Sequence, residues 1–238
     1  MAVSVDLVLP CYNPPAGWVT NLAQRVARAT ELIPQVQLHV IVVNDGSARG
    51  VSAADVDLLA RLLPGSRYLT YPQNRGKGYA LRYGVQQAQH QLCLFTDIDF
   101  PYEETSVAAV LEALLAGADV AVGARNTQYY EQVPRGRIII SKLLRHSTRY
   151  LLGLAVSDTQ CGLKGFNQRG REVFLATTID RYLFDLEFIF LASRPAARLR
   201  VQPVPVQLKP GIVFSRMSPQ VLLTEGGSFL KLLLSRLT

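Results

Sequence analysis

Asp97 and Asp99 stand one residue apart at the end of the apolar run Leu92–Thr96. Alternate side chains of an extended chain share a side, so a strand ending in Asp-Ile-Asp turns both carboxylates the same way. Such a pair can hold a divalent cation with its outer positions open, where diphosphate oxygens complete the shell. The same spacing recurs at Asp55-Val56-Asp57, but within a helical pattern, and no function is expected there. Three more polar clusters adjoin regular elements: Tyr12-Asn13, Asp45-Gly46-Ser47 and Gly76-Lys77-Gly78. Asp45 suits either the donor N–H of a base ring or, with Ser47, the cap of the following helix. Lys77 at a helix N-terminus suits a phosphate, because unpaired amides and the helix dipole add to its charge. The glycine-rich piece is neither of two better-known nucleotide fingerprints. It lacks the upstream glycine and following Ser/Thr of a P-loop, and Leu81 stands where the dinucleotide fingerprint has its third glycine.

The elements that must position these groups alternate. Val3–Pro10 and His39–Val43 read as buried strands, Tyr68–Tyr71 as a short one, then Leu92–Thr96 and Asp119–Gly123. Between them, Val19–Ile33, Asp55–Leu63, Tyr79–Gln89 and Thr105–Ala116 read as helices. The expectation is an α/β fold with a mostly parallel central sheet flanked by helices. In such sheets ligands bind beyond the carboxyl ends of the strands, where all four polar clusters fall. Past residue 130 the alternation fails. A basic helix is expected over Ile138–Leu154, a strand-like piece over Gly162–Phe166 and a helix over Asp185–Ala192. Leu199–Leu208, with Pro203 and Pro205, is expected at a sheet edge. Ser218-Pro219 opens an apolar C-terminal helix interrupted by Gly226-Gly227.

At 238 residues one domain with a full core is expected. A net charge of +7 suits nucleic acid, an anionic lipid surface or a phosphorylated substrate. Nucleic acid is disfavoured, since no helix-turn-helix, Cys/His finger or RNA-recognition signature is present. Cys11, Cys93 and Cys161 are widely spaced and odd in number, which points to a reducing compartment without a disulfide framework. The chain enters a strand at once, and no uncharged apolar run approaches the ~20 residues of a membrane span. The expected location is cytoplasmic, with peripheral contact at the inner membrane face. Lys142, Arg145 and Arg149 on one stripe of the Ile138–Leu154 helix suit that contact, although a solvated face over a packed one accounts for them as well.

Leu9-Pro10-Cys11-Tyr12-Asn13, Val42-Val43-Asn44-Asp45-Gly46-Ser47, Asn74-Arg75-Gly76-Lys77-Gly78 and Asp97-Ile98-Asp99, in that order, resemble family 2 glycosyltransferases of the GT-A fold. Gly123-Ala124-Arg125, Asp158-Thr159-Gln160-Cys161-Gly162-Leu163-Lys164 and Phe184-Asp185-Leu186-Glu187 look like its dolichyl-phosphate glucosyltransferase branch. The resemblance implies a GT-A domain over residues 1–217, with a nucleotide-binding half (1–125), an acceptor half (126–217) and a C-terminal apolar helix (218–238). It implies that Pro10, Tyr12, Asn13, Asp45 and Gly46 hold the nucleotide, that Lys77 approaches its diphosphate, and that Asp97 and Asp99 bind Mg²⁺ or Mn²⁺. The implied reaction is inverting transfer of a hexose from UDP-glucose, or next GDP-mannose, to polyprenyl or dolichyl phosphate. Arg125, Arg135 and Arg137 are candidates to grip the acceptor phosphate, and Lys209, Ser215 and Arg216 resemble a basic loop that closes over the site.

Asp158 and Asp185 complete the catalytic candidates. Either would serve as base if the acceptor were a sugar hydroxyl, and otherwise would order its loop. Two positions depart from the family pattern. Pro14 stands where Glu is common, and Pro101 where mannosyl relatives often carry Gln. They motivate a third reading, a nucleotide-sugar-binding homologue without catalysis.

Overall fold

The structure, a computed structural model, is described for residues 2–125 and 161–210. The expected helices of 138–154 and 218–238 lie outside those residues. So do Arg135, Arg137, Asp158, Ser215 and Arg216.

β1 (Val3–Cys11) is central because Val5, Leu7, Val8, Leu9 and Cys11 are apolar and buried on one face or the other. Val5, Leu7 and Leu9 point to one core and Val8 to the other. Its single acid, Asp6, is 2% exposed yet fully used. Its carboxylate accepts the amides of Gln89 and His90, each at 2.7 Å, and contacts His90 Nδ1 at 3.0 Å. Parallel neighbours flank β1: β2 (Val36–Asp45) on one side and β4 (Leu92–Phe95) on the other, with β3 (Arg67–Tyr71) outside β2. The full order is β3-β2-β1-β4-β6-β5-β7. Here β5 spans Val120–Arg125, β6 Lys164–Phe166 and β7 Val201–Val206. β6 runs antiparallel to both of its neighbours, while β5 and β7 pair in parallel. β7 is therefore the edge strand that its two prolines require.

The helices cover both faces. α1 (Trp18–Leu32) buries Trp18, Val19, Leu22, Val26 and Ala29, the three- and four-residue stripe of an amphipathic helix. It packs with α2 (Ala53–Leu62) and α4 (Glu104–Leu115) on one face. Asp55, in the second acidic pair, closes a capping box with Ser52 at the start of α2, which accounts for it without chemistry. α3 (Lys77–Gln86) lies on the other face, beginning two residues before the expected start and ending three before the expected end. Gly84 sets its distance from the sheet, since a Cβ there would stand 2.5 Å from Val8 Cγ1 and 2.8 Å from Val43 Cγ2. α5 (Gln168–Leu175) and α6 (Phe184–Ala192) complete that face, followed by a 3₁₀ turn at Pro195–Ala197. Phe95, Phe166, Phe174, Phe184 and Phe188 interlock beneath them with ring centroids 5.1–6.3 Å apart. Each such pair contributes about 0.5–1.5 kcal/mol beyond its buried area.

No helix among the described residues is long and apolar enough to cross a membrane.

Candidate active site

The carboxyl ends of β1, β2 and β4 and the N-terminus of α3 meet at one edge of the sheet. After β1 the chain turns at Asn13, whose φ of 46° is a left-handed conformation that Asn tolerates better than most residues. Asn13 ties this turn to the one after β2. Its Oδ1 accepts the amides of Ala48 (3.0 Å) and Arg49 (3.1 Å), and its own N–H donates to Ser47 Oγ at 2.9 Å. Tyr12 is left 51% exposed at the mouth, next to Pro10 and Cys11 at the end of β1. Burial pushes the Cys11 thiol up to about 12, with the charge of Asp55 adding to the effect, so it stays a neutral packing group.

Asp45 differs from expectation. It is 3% exposed, and its carboxylate accepts from Tyr71 Oη (2.9 Å), Asn74 Nδ2 (2.8 Å) and the amides of Arg75 (2.7 Å) and Gly76 (2.9 Å). A carboxylate offers about four lone-pair sites, and protein donors engage four. The cap of α2 is Ser52, not Asp45. Asp45 instead folds residues 74–76 into the turn that opens α3. Gly46, with φ of 65°, lets that turn come close: a Cβ would lie 2.5 Å from the carbonyl carbon of Gln73. Arg75 stacks over the Tyr79 ring at 3.5 Å.

Lys77 is the first residue of α3, and its ammonium pairs with Asp97 Oδ1 at 2.5 Å. Burial works against its charge, but Asp97, Asp185 and Asp99 together outweigh that and hold the ammonium above the ordinary lysine range. Asp99 is shifted upward, first by desolvation and then by the like charge of Asp97. Two carboxylates of like charge beside a half-buried ammonium form a seat for positive charge. Among the described residues no cluster of three His, Cys, Asp or Glu could hold a metal. The donor set suits a hard cation bound through one or two carboxylates, its remaining positions filled by ligand phosphates and water.

The turn after Asp99 is strained. Phe100, an aromatic residue at φ of 51°, donates its amide to the Asp97 carbonyl at 3.0 Å, and its ring is buried to 1% exposure. Lys209 holds it there, donating its ammonium to the Phe100 carbonyl at 3.0 Å while pairing with Glu104 at 3.0 Å. Lys209 is 8% exposed, and burial, only partly offset by Glu104, lowers its pKa. This corrects the expectation that it grips an acceptor phosphate: its charge is committed inside the protein.

Asp185 is also interior, 4% exposed and paired at 2.5 Å with Lys164, which is wholly buried. Burial raises the pKa of Asp185, against the opposing charges of Lys164 and Lys77. A base for an incoming hydroxyl must reach it, and this carboxylate is spanned by a buried lysine instead. Asp185 thus lies under the site as a counter-charge. Arg125 ends β5, half-buried, and its charge reaches the Tyr102 hydroxyl.

Tyr102 was not singled out from the sequence, and Gly162 and Lys164 stood there only as part of the 158–164 resemblance, without a role of their own. Tyr102 Oη accepts the Gly162 amide at 3.0 Å, which presses Gly162 onto the acid pair: a Cβ there would lie 2.8 Å from Asp97 Oδ2. The third, Lys164, has no outward signal, since nothing in a short Lys-Gly-Phe run says that its lysine is buried.

Comparison with known proteins bears on this arrangement. The profile of glycosyl transferase family 2 matches residues 6–174. The dolichyl-phosphate beta-glucosyltransferase of Drosophila melanogaster is 30% identical over 207 residues, 81% of this chain and 63% of that protein. The polyprenol monophosphomannose synthase of Mycolicibacterium smegmatis is 27% identical over 194 residues, 78% of this chain and 71% of that protein. The chain therefore spans less than two thirds of the length of the Drosophila relative. Among solved structures, glucosyl-3-phosphoglycerate synthase of M. tuberculosis superposes with a TM-score of 0.63 at 17% identity, covering 92% of this chain and 75% of that one. Its complex with Mn²⁺, UDP and glucosyl-3-phosphoglycerate gives 0.58 at 18% identity, covering 93% and 75%. The fold is GT-A, as expected.

Proposed function

Because the chain belongs to glycosyl transferase family 2, we propose that it is an inverting, metal-dependent hexosyltransferase acting on polyprenyl phosphate. The observation that carries this reading is the acid pair Asp97 and Asp99 at the sheet edge, with Lys77 on Asp97 at the N-terminus of α3. The donor is a nucleotide-sugar, UDP-glucose first and GDP-mannose second. The named activities of the Drosophila and Mycolicibacterium relatives support a glucosyl or mannosyl group and a lipid-phosphate acceptor.

In this reading Tyr12, Pro10 and the Asn13 turn line the nucleotide. Asp45 acts through the 74–76 turn, presenting the Gly76 and Lys77 end of α3. Asp97 and Asp99 would hold a divalent cation, Mg²⁺ or Mn²⁺, which would supply positive charge to the departing diphosphate. Lys77 shares that work as a fixed cation at a helix N-terminus. The acceptor phosphate has a second pKa near 6 and is largely ionised at neutral pH. Its oxygen attacks the sugar's anomeric carbon from the face opposite the leaving diphosphate, and no protein base has to remove a proton. Arg125 is the residue in the described part suited to hold it. The interior position of Asp185 disfavours the sugar-hydroxyl alternative with that residue as base.

A donor panel with a short polyprenyl phosphate and Mg²⁺ or Mn²⁺, products read by mass, tests the proposal. Transfer from UDP-glucose is expected, with loss on Asp99→Ala in a folded protein. Undiminished transfer by that variant refutes the metal role. Tight donor binding without transfer to any acceptor favours the non-catalytic reading.

A further inference from the structure

The turn that carries Lys77 is packed from outside by residues 177–182, which join α5 to α6. Three separate anchors fix that loop. Tyr79 donates its amide to the Asp180 carbonyl at 3.1 Å. Arg82 reaches from α3 to Thr177 Oγ1 (3.2 Å), the Ile179 carbonyl (2.8 Å) and the Asp180 carboxylate. Glu187 of α6, 6% exposed, accepts the amides of Thr178 and Ile179, each at 2.8 Å, and the Thr178 hydroxyl at 2.9 Å. The contact is close enough to require glycine on the other side. A Cβ on Gly76 would lie 2.5 Å from the Asp180 carbonyl oxygen and 3.1 Å from Arg181 Cγ, and one on Gly78 would lie 2.5 Å from the Ile179 oxygen.

Core packing explains Ile179, Leu183 and Phe184, all buried, but not Arg181. Arg181 is exposed, with its methylene stem on Gly76 and no ion-pair partner among the described residues. Of its neighbours, Arg82 is tied to the loop, Arg75 is stacked on the Tyr79 ring, and Lys77 pairs with Asp97 until a cation takes that carboxylate. Charge balance says what it is for. A divalent cation matches Asp97 and Asp99, which leaves Lys77 as one positive charge against a diphosphate ester that carries two negative ones. A guanidinium held at the adjoining turn supplies the other, with a fork suited to phosphate oxygens.

We propose that Arg181, held against Gly76 by the clamped 177–182 loop, is a second cationic ligand of the donor's diphosphate. The assignment rests on the nucleotide-sugar reading given above. Its test is calorimetric titration with UDP and GDP in Mn²⁺, and ligand-observed NMR titration with uridine and guanosine, for wild type, Arg181→Gln, Arg181→Lys and, as a remote control, Arg61→Gln. A charge-assisted hydrogen bond to phosphate predicts that Arg181→Gln loses about ten- to a hundredfold in diphosphate affinity. Nucleoside affinity should stay within about twofold, Arg181→Lys should recover part of the loss, and Arg61→Gln should match wild type. Unchanged diphosphate affinity in an Arg181→Gln protein that melts like wild type overturns the proposal, as does equal loss for nucleoside and diphosphate. If wild type binds neither diphosphate, the nucleotide-sugar reading fails instead.

Discussion

Replacing Lys77 by Gln should make the protein bind a divalent cation more tightly when no nucleotide is present. In the ligand-free protein the Lys77 ammonium sits 2.5 Å from Asp97, the carboxylate a cation would need, with side chains 22% and 38% exposed. Solvent-exposed ion pairs contribute ~0.2–1 kcal/mol, and hydrogen bonds to charged groups ~1.5–3 kcal/mol. A pair of this geometry and partial exposure falls between, at about 1–2 kcal/mol, which any cation taking Asp97 must displace. At 1.4 kcal/mol per factor of ten, Lys77→Gln should strengthen Mn²⁺ binding by roughly 5–30-fold. Nucleoside diphosphate binding in saturating Mn²⁺ should weaken in the same variant, because the ammonium that the phosphates would recruit is gone. Paramagnetic resonance of unbound Mn²⁺ reads the first quantity, and calorimetry the second. Mn²⁺ affinity that is unchanged or lower in the variant would show that Lys77 and the cation do not compete, and the metal seat at Asp97 would fall with it.

Gly162→Ala places a methyl 2.8 Å from Asp97 Oδ2; displacing the carboxylate at a strain of ~1–3 kcal/mol should cost about tenfold or more in transfer rate while the melting temperature changes little. A Gly162→Ala enzyme of full activity would contradict the contact. Lys209→Met leaves Glu104 and the Phe100 turn without their shared cation, and removal of one partner of a buried pair should destabilise by about 2–4 kcal/mol, read by denaturant unfolding. A value under ~0.5 kcal/mol would mean that solvent already screens the pair. Glu104 is raised by burial but brought below its ordinary 4.5 by Lys209, its own backbone and Arg25, so its stabilisation is present above that value and lost as pH falls through the lower folded one. Lys209→Met should therefore move the acid-unfolding midpoint upward, and an unmoved midpoint would count against the linkage. His39 is lowered from 6.5 by burial and by the stacked His90, against the attraction of Asp6, so the unfolded chain takes up its proton first. The melting temperature should drop as pH falls below 6.5, and less steeply in His39→Gln; identical slopes would exclude His39 as the source.

The parallel part of the sheet was readable because β1, β2 and β4 carry runs of apolar residues ended by a polar turn, and both cores need that composition. The acid pair was readable for a related reason: Leu92–Phe95 forms β4, so the following acids had to emerge at its carboxyl end. What escaped was set by partners distant in sequence. α5 shows only Gly170, Arg171 and Phe174 to the interior, too short a stripe to distinguish from a loop. β6 was expected as the strand-like piece Gly162–Phe166, but its three residues did not show its antiparallel pairing or the burial of Lys164 against Asp185. Asp45 and Lys209 carried the right chemistry for ligands, but their partners, Asn74 to Gly76 for one and Glu104 with Phe100 for the other, are fixed only by the tertiary fold.

The reversed strand β6 has a topological corollary. To enter between β4 and β5 against their direction, the chain must leave the sheet at Arg125 and come back at Cys161 on the same rim, beside the acid pair. Whatever lies between those two positions is a cassette stitched at both ends to one margin of a rigid platform. Both ends of that stretch are therefore set by the ladder, at the rim that carries Asp97 and Asp99.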